Sequence, residues 1–175
     1  LDFARPFEPQ PAPTVLRPLI DSAIASLQSQ LSEHAIEVSI QIDPPALEAH
    51  LDAAQIEEVL LALISNAIEA MTQGGRITIT AHPDQGGQAA RLEISDTGPG
   101  IPAEQLSRVF GLFFTTKSSG TGFGLAVAKK VVERHGGTIT VDNRPGEGAC
   151  FTIVLPLRAP LSRGEGTRRP SDSPT

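Results

Sequence analysis

Six residues, Gly120-Thr121-Gly122-Phe123-Gly124-Leu125, run straight into the helical pattern Ala126-Val127-Ala128-Lys129-Lys130-Val131-Val132. This junction constrains the fold because the backbone must turn and then start a helix at once. The first N–H groups of that helix have no intrahelical partner and stand at the positive end of its dipole. Residues without side chains let a phosphate approach those donors closely. Glycine turns before helices also serve plain packing, so the junction alone leaves both uses open.

A chain of 175 residues suits one domain with a sizeable core. Aromatic side chains are sparse, with seven Phe and no Trp or Tyr, which disfavours the stacking platforms of single-strand nucleic-acid binders. The formal charge of −6 disfavours a global electrostatic grip on nucleic acid or an anionic membrane. A nucleotide ligand stays compatible with that charge, because a metal ion and a few local donors can neutralise phosphates. The single cysteine, Cys150, cannot form an internal disulfide; it fits a reducing compartment and reads as a strand residue without chemistry. No apolar stretch is long enough to span a bilayer and no signal peptide is evident, so a cytoplasmic domain is expected. The chain begins at Leu1 and reads as a piece of something longer.

Residues 1–13 carry Pro6, Pro9, Pro11 and Pro13 and read as an extended, semi-stiff linker. Over 15–31, the positions Leu16, Leu19, Ile20, Ala23, Ile24, Leu27 and Leu31 recur at helical spacing. Residues 37–42 alternate and predict a strand stopped by Pro44-Pro45, and 49–51 add a short one. Asp52 is the expected N-cap of a helix reaching Met71, with Ile56, Val59, Leu60, Leu63, Ile64, Ala67 and Ile68 on its apolar face. Strands are expected over 76–81 and 90–95, then an irregular stretch over 96–123 with a helical segment at 103–109. A helix from Gly124 to His135 ends at Gly136-Gly137, and strands over 138–141 and 149–155 follow. The ordered domain is expected over 14–157 and a disordered tail over 158–175. The layout implies an α/β two-layer sandwich, a mixed sheet with helices on one face.

Three further stretches carry candidate chemistry. Asn66 lies inside the second long helix at the edge of its apolar stripe; it is either a surface residue or a placed amide oxygen, a suitable hard ligand for Mg²⁺. Asp96-Thr97-Gly98-Pro99-Gly100-Ile101 follows the apolar strand positions Leu92 and Ile94. It reads equally as turn chemistry or as a carboxylate at a strand end, placed to accept from an adenine amine, with Gly98 and Gly100 permitting close approach of the base. Phe110-Gly111-Leu112-Phe113-Phe114-Thr115-Thr116-Lys117 combines loop anchors with a lysine that could reach a terminal phosphate as a point charge.

Taken in order, these stretches resemble the N, G1, F and G2 boxes of the catalytic, ATP-binding domain of bacterial sensor histidine kinases. That domain belongs to the superfamily shared with gyrase, the ninety-kilodalton heat-shock chaperone and MutL. The N box is Glu58-Val59-Leu60-Leu61-Ala62-Leu63-Ile64-Ser65-Asn66-Ala67-Ile68-Glu69-Ala70-Met71. The run Phe113-Phe114-Thr115-Thr116-Lys117-Ser118-Ser119-Gly120-Thr121-Gly122 is similar to the nitrogen-regulation type, and Leu1-Asp2-Phe3-Ala4-Arg5-Pro6 resembles the end of the dimerisation helices that precede such domains.

The resemblance implies a Bergerat-type fold and a set of roles. Asn66 would bind Mg²⁺ and, with Lys117, serve catalysis. Asp96 would read adenine, with Gly98, Gly100 and Ile101 lining the base pocket. Lys117 and the run Gly120, Thr121, Gly122, Phe123, Gly124 and Leu125 would hold the phosphates of ATP. The segment 98–121 would be a lid latched by Phe113 and Phe114. Phosphoryl transfer is mainly positioning and charge neutralisation, so this inventory is chemically sufficient.

The chain departs from the pattern at Ala62, where relatives carry Asn or a water-activating Glu, at Gly111-Leu112 in place of Glu-Pro, and at Ala149 in place of Thr. Ala62 argues for transfer over hydrolysis. None of His34, His50, His82 and His135 lies in the family's acceptor context, so the acceptor histidine is expected on a separate dimerisation domain, with a response regulator as indirect partner and the isolated domain a monomer. A hydrolytic ATPase of the gyrase–chaperone–MutL branch and a decayed nucleotide-sensing module are the alternative readings.

Overall fold

The computed structural model describes residues 8–111, 124–144 and 148–159. The fold opens with strand β1 (Ala12–Val15), which runs into helix α1 (Leu16–Ser26). The single helix predicted over 15–31 is two. The Leu27 N–H donates to the Ile24 carbonyl only three residues back, at 3.1 Å, and that tightened turn breaks the helix before α2 (Gln28–Glu33). Both sides of the break still bury their apolar positions, Leu27 and Leu31 among them.

The chain continues through β2 (Ile36–Ile42), β3 (Glu48–Leu51) and α3 (Ala53–Ala70). The Asp52 carboxylate caps α3 by accepting from the Gln55 N–H at 3.2 Å, as its position before the apolar periodicity predicts. Next come β4 (Gly75–Pro83), β5 (Ala89–Asp96), the short α4 (Ala103–Leu106), α5 (Gly124–Arg134), β6 (Thr138–Asn143) and β7 (Ala149–Pro156). The helical segment predicted over 103–109 stops at Leu106, and Val109 is buried in the turn that follows. Gly136, at φ +73°, closes α5 in the left-handed conformation that an L side chain rarely adopts.

Five strands form a mixed sheet in the order β2-β4-β5-β7-β6, with β2 and β4 parallel and the other pairs antiparallel. β1 pairs with β3 in a separate antiparallel ribbon, where Ala12 faces Leu51 and Pro13 faces His50. The last residues of the expected linker are thus part of the ordered unit, in a two-stranded ribbon whose edge tolerates proline.

Alternation along each strand turns one side of the sheet toward the helices. Ile40, Ile79, Ile94, Phe151 and Val141 stand opposite one another across all five strands, and Ile42, Ala81, Leu92, Ile153 and Ile139 form the next row. Helix α3 covers these rows with the fully buried Ile56, Leu60, Leu63 and Ile64. Each such side chain is worth about 1.5–3 kcal/mol of burial, so the sheet–helix interface dominates the stability of the domain. Among the described residues no helix is long and apolar enough to cross a membrane.

Candidate functional site

Asp96 is the last residue of β5, and it faces Ile77 of β4 in the register that pairs Ile94 with Ile79. Its carboxylate therefore stands on the helix-facing side of the sheet, continuing the line of Leu92 and Ile94, and only 5% of the residue is exposed. A carboxylate there is costly unless donors reach it. Two do: the N–H groups of Gly98 (2.8 Å) and Ala149 (3.3 Å) both donate to Oδ1. Burial nevertheless pushes the Asp96 carboxyl above the usual carboxylate range, against the opposing pull of those two N–H groups. With both bonds on Oδ1, the other oxygen is the one offered to a ligand.

The segment after Asp96 lies over the C-terminal end of α3. A side chain at Gly98 would meet Asp96 Oδ1 at 2.9 Å, Met71 Cγ at 3.3 Å and the Ala70 Cβ at 3.5 Å. Only glycine lets the backbone settle this close to both the carboxylate and the helix. Gly100 takes φ +77°, and a Cβ there would meet Asn143 Oδ1 at 2.9 Å. Ile101 is partly buried against the core. Of these three, Gly98 touches the Asp96 carboxylate, while Gly100 and Ile101 meet Asn143.

Asn66 lies one helical turn before Ala70, on the same side of α3, and Ala62 one turn before that. All three are half-buried, so the face of α3 that continues toward Gly98 is neither core nor open surface. Helix α5 packs on α3 and starts with an exposed Gly124, beside which a Cβ would meet nothing within 4 Å, and a half-buried Leu125. Phe110 anchors the stretch leading away from the site: its ring meets Phe151 edge-on at 6.2 Å, and the Lys129 ammonium lies 5.8 Å from its centroid. Phe113, Phe114, Lys117, Gly120, Thr121, Gly122 and Phe123 lie outside the described residues.

Two residues at the site carry no role in the sequence reading. Gly148 donates its N–H to the Asp96 carbonyl at 2.8 Å, and a Cβ on it would collide with Asp96 Oδ1. Asn143 ends β6 and bonds the backbone of Ile101 through both its amide atoms. The alternation Ile139, Val141, Asn143 was the available signal for the second, since it puts Asn143 on the same side of the sheet as Asp96. At Ala149 it is the backbone N–H that reaches the carboxylate, a contact that does not depend on the side chain.

Chemically, this arrangement offers a buried acceptor beside a side-chain-free floor, a half-buried amide some way along α3, and a helix start beyond it. The carboxylate and its floor suit a flat heterocycle that carries a donor amine. Among the described residues no group of three or more His, Cys, Asp and Glu could hold a metal ion.

The family model described as histidine kinase-, DNA gyrase B-, and HSP90-like ATPase matches residues 51–159. Sensor histidine kinase ZraS of Escherichia coli (strain K12) is 37% identical over 142 residues, which are 81% of this chain and 30% of that protein. The chain thus spans about 30% of the length of this relative. In three dimensions it is similar to the nucleotide-free catalytic domain of histidine kinase ThkA, with a TM-score of 0.78, 31% identity, and coverage of 85% of this chain and 96% of that one. It is also similar to ThkA in complex with the response regulator protein TrrA, with a TM-score of 0.74 and 28% identity over 86% of this chain and 42% of that one.

Proposed function

The chain belongs to the histidine kinase-, DNA gyrase B-, and HSP90-like ATPase family and has the fold of a histidine kinase catalytic domain; from that premise we propose that it binds ATP with Mg²⁺ and donates the γ-phosphoryl group to a histidine on a dimerisation domain of a two-component sensor. The observation that carries this reading is the Asp96 carboxylate, buried on the helix side of the sheet with both of its backbone donors on one oxygen.

In this reading Asp96 accepts from the exocyclic amine of adenine, and Gly98, Gly100 and Ile101 line the base pocket. Asn66 holds Mg²⁺ through its amide oxygen, and the ion supplies charge neutralisation on the phosphates. Gly124 and Leu125 open the helix whose N-terminus faces the phosphates, together with Lys117 and residues 120–123. Ala62 puts a methyl where hydrolytic relatives carry a carboxylate, which favours transfer over water attack. The Phe113-Phe114-Thr115-Thr116-Lys117 run supports a nitrogen-regulation-like subtype. The domain is cytoplasmic, occupies about residues 12–157 between a linker and a tail, is monomeric when isolated, and reaches its response regulator through the phosphorylated histidine.

The test is transfer in trans. With labelled ATP and a separately supplied dimerisation domain, label is expected on that domain's histidine and none on the chain alone. Stable label on His34, His50, His82 or His135, or ATP hydrolysis without transfer, would overturn the proposal.

A further inference from the structure

The hairpin that joins β6 to β7 grips the segment 96–101 at both ends. At one end Gly148 and Ala149 donate to the Asp96 carbonyl and carboxylate. At the other, Asn143 Oδ1 accepts from the Ile101 N–H at 2.8 Å while Asn143 Nδ2 donates to the Ile101 carbonyl at 2.5 Å. A primary amide that bonds both polar groups of one residue behaves as one more rung of a β-ladder, here made by a side chain 42 positions away. Gly100 completes the match, because its positive φ turns Ile101 toward β6 and its missing Cβ leaves room for Oδ1. Asn143 is itself held: the next residue, Arg144, donates to Glu93 at 2.6 Å and, through its backbone, to the Gly148 carbonyl at 3.1 Å. Burial raises the Glu93 carboxyl, but Arg144 and Arg91 more than offset that and hold it below its ordinary value, so the anchor carries full charge at neutral pH.

We propose that Asn143 is a positioning residue of the nucleotide site, fixing the Gly100–Ile101 backbone relative to Asp96 so that the base pocket exists before the base arrives. The inference rests on the nucleotide reading above and adds to it the device that preorganises the pocket. Preorganisation lowers the ordering cost of binding, so its loss is read as affinity. It acts on the base end of the ligand, so ATP and ADP suffer alike.

The experiment titrates ADP and ATP into the full chain by calorimetry. Asn143→Ala is expected to weaken both by about three- to tenfold, the size of one to two exposed hydrogen bonds. Asn143→Asp keeps the shape and the acceptor but, when ionised, faces the Ile101 carbonyl with an oxygen in place of a donor. Ionised at neutral pH, it is expected to bind ADP and ATP no better than Asn143→Ala does. A residue that merely filled space would tolerate this near-isosteric change. Hydrogen exchange of the Ile101 amide, protected in the wild type and faster in Asn143→Ala, reads the contact directly and does not depend on ligand. Unchanged affinity in both variants, or an Ile101 amide equally protected in both, overturns the proposal. Asp96→Ala separates the two layers: if it abolishes binding while the Asn143 variants bind normally, only the positioning role falls, and if it leaves binding intact, the site reading falls and the positioning role with it.

Discussion

The His135 ring and the Asp52 backbone, 83 positions apart, meet in a 3.0 Å hydrogen bond in which the Asp52 N–H donates to Nε2. The bond requires Nε2 to be the unprotonated nitrogen, so Nδ1 carries the proton and donates it to the Val131 carbonyl at 2.8 Å. The Asp52 carboxylate meanwhile accepts from Gln10 at 2.9 Å and from Gln55 at 3.2 Å. The Gln10 N–H is the largest reason this carboxyl sits below its ordinary value, with burial opposing and the Gln55 N–H assisting. The start of α3, the end of α5 and the residues before β1 therefore share one polar joint.

Removing the ring should loosen that joint. His135→Ala is expected to cost about 1–3 kcal/mol, the value of a donor left without its partner, seen as a lower urea midpoint at unchanged m. Because the joint lies at the far end of α3 from Asn66, ADP affinity under native conditions should change less than twofold, within about 0.4 kcal/mol. A full loss of nucleotide binding in a folded His135→Ala chain would contradict this.

The raised Asp96 carboxyl gives opposite signs to stability and to binding. A folded-state pKa above the unfolded one means the folded chain holds the proton more tightly, so this residue costs stability at neutral pH and the cost disappears as pH falls through the raised value. In the proposed reading, binding needs the ionised form, because a proton on the oxygen left open by Gly98 and Ala149 would face the adenine amine with a donor. ADP affinity should therefore begin to fall at a higher pH than an ordinary aspartate would dictate. The total loss should be roughly ten- to a hundredfold, the size of a charge-assisted hydrogen bond. Asp96→Asn should bind weakly at every pH and show no such titration; a parallel acid decline in that variant would assign the effect elsewhere.

Gly148→Ala drives a methyl into Asp96 Oδ1, with Gly98 N at 2.7 Å and the Asp96 carbonyl at 2.8 Å also in the way. Two of these atoms are backbone and Oδ1 is held by the Gly98 and Ala149 N–H groups, so relief requires moving β7 or the turn after β5. The expected cost is about 1–3 kcal/mol of stability, as for other overpacked sites, together with weakened ADP binding. Adding Asp96→Gly should return part of the stability, since it removes the nearest obstacle, but none of the binding. Additive losses in the double variant would show that the clash is not with the carboxylate.

Much of this was legible in the order of residues. The heptad-like stripe of α3, its Asp52 cap, the β4–β5 pair and the β6–β7 hairpin each have a local cause that sequence displays. Asp96 was visible as a carboxylate continuing the Leu92, Ile94 alternation. What stayed hidden depends on pairing across distance. Nothing near Ala12 says that it will face Leu51, and nothing near Asn143 names Ile101 as its partner. The break at Leu27 was also hidden, because the apolar spacing of 15–31 fits one helix as well as two. Gly148 stands beside the visible departure at Ala149, yet its necessity comes from a carboxylate that arrives from another strand.

The place of Asp96 in the strand ladder has a consequence for how errors would show themselves. Side chains alternate faces, so sliding β5 by one residue against β4 and β7 would turn Leu92, Ile94 and Asp96 outward together. The greasy rows and the acidic tip are yoked to a single registration. A misaligned chain could not keep a sound interior and lose only its ligand, or the reverse, and a nucleotide that stays bound is also a report that the strands were assembled in step.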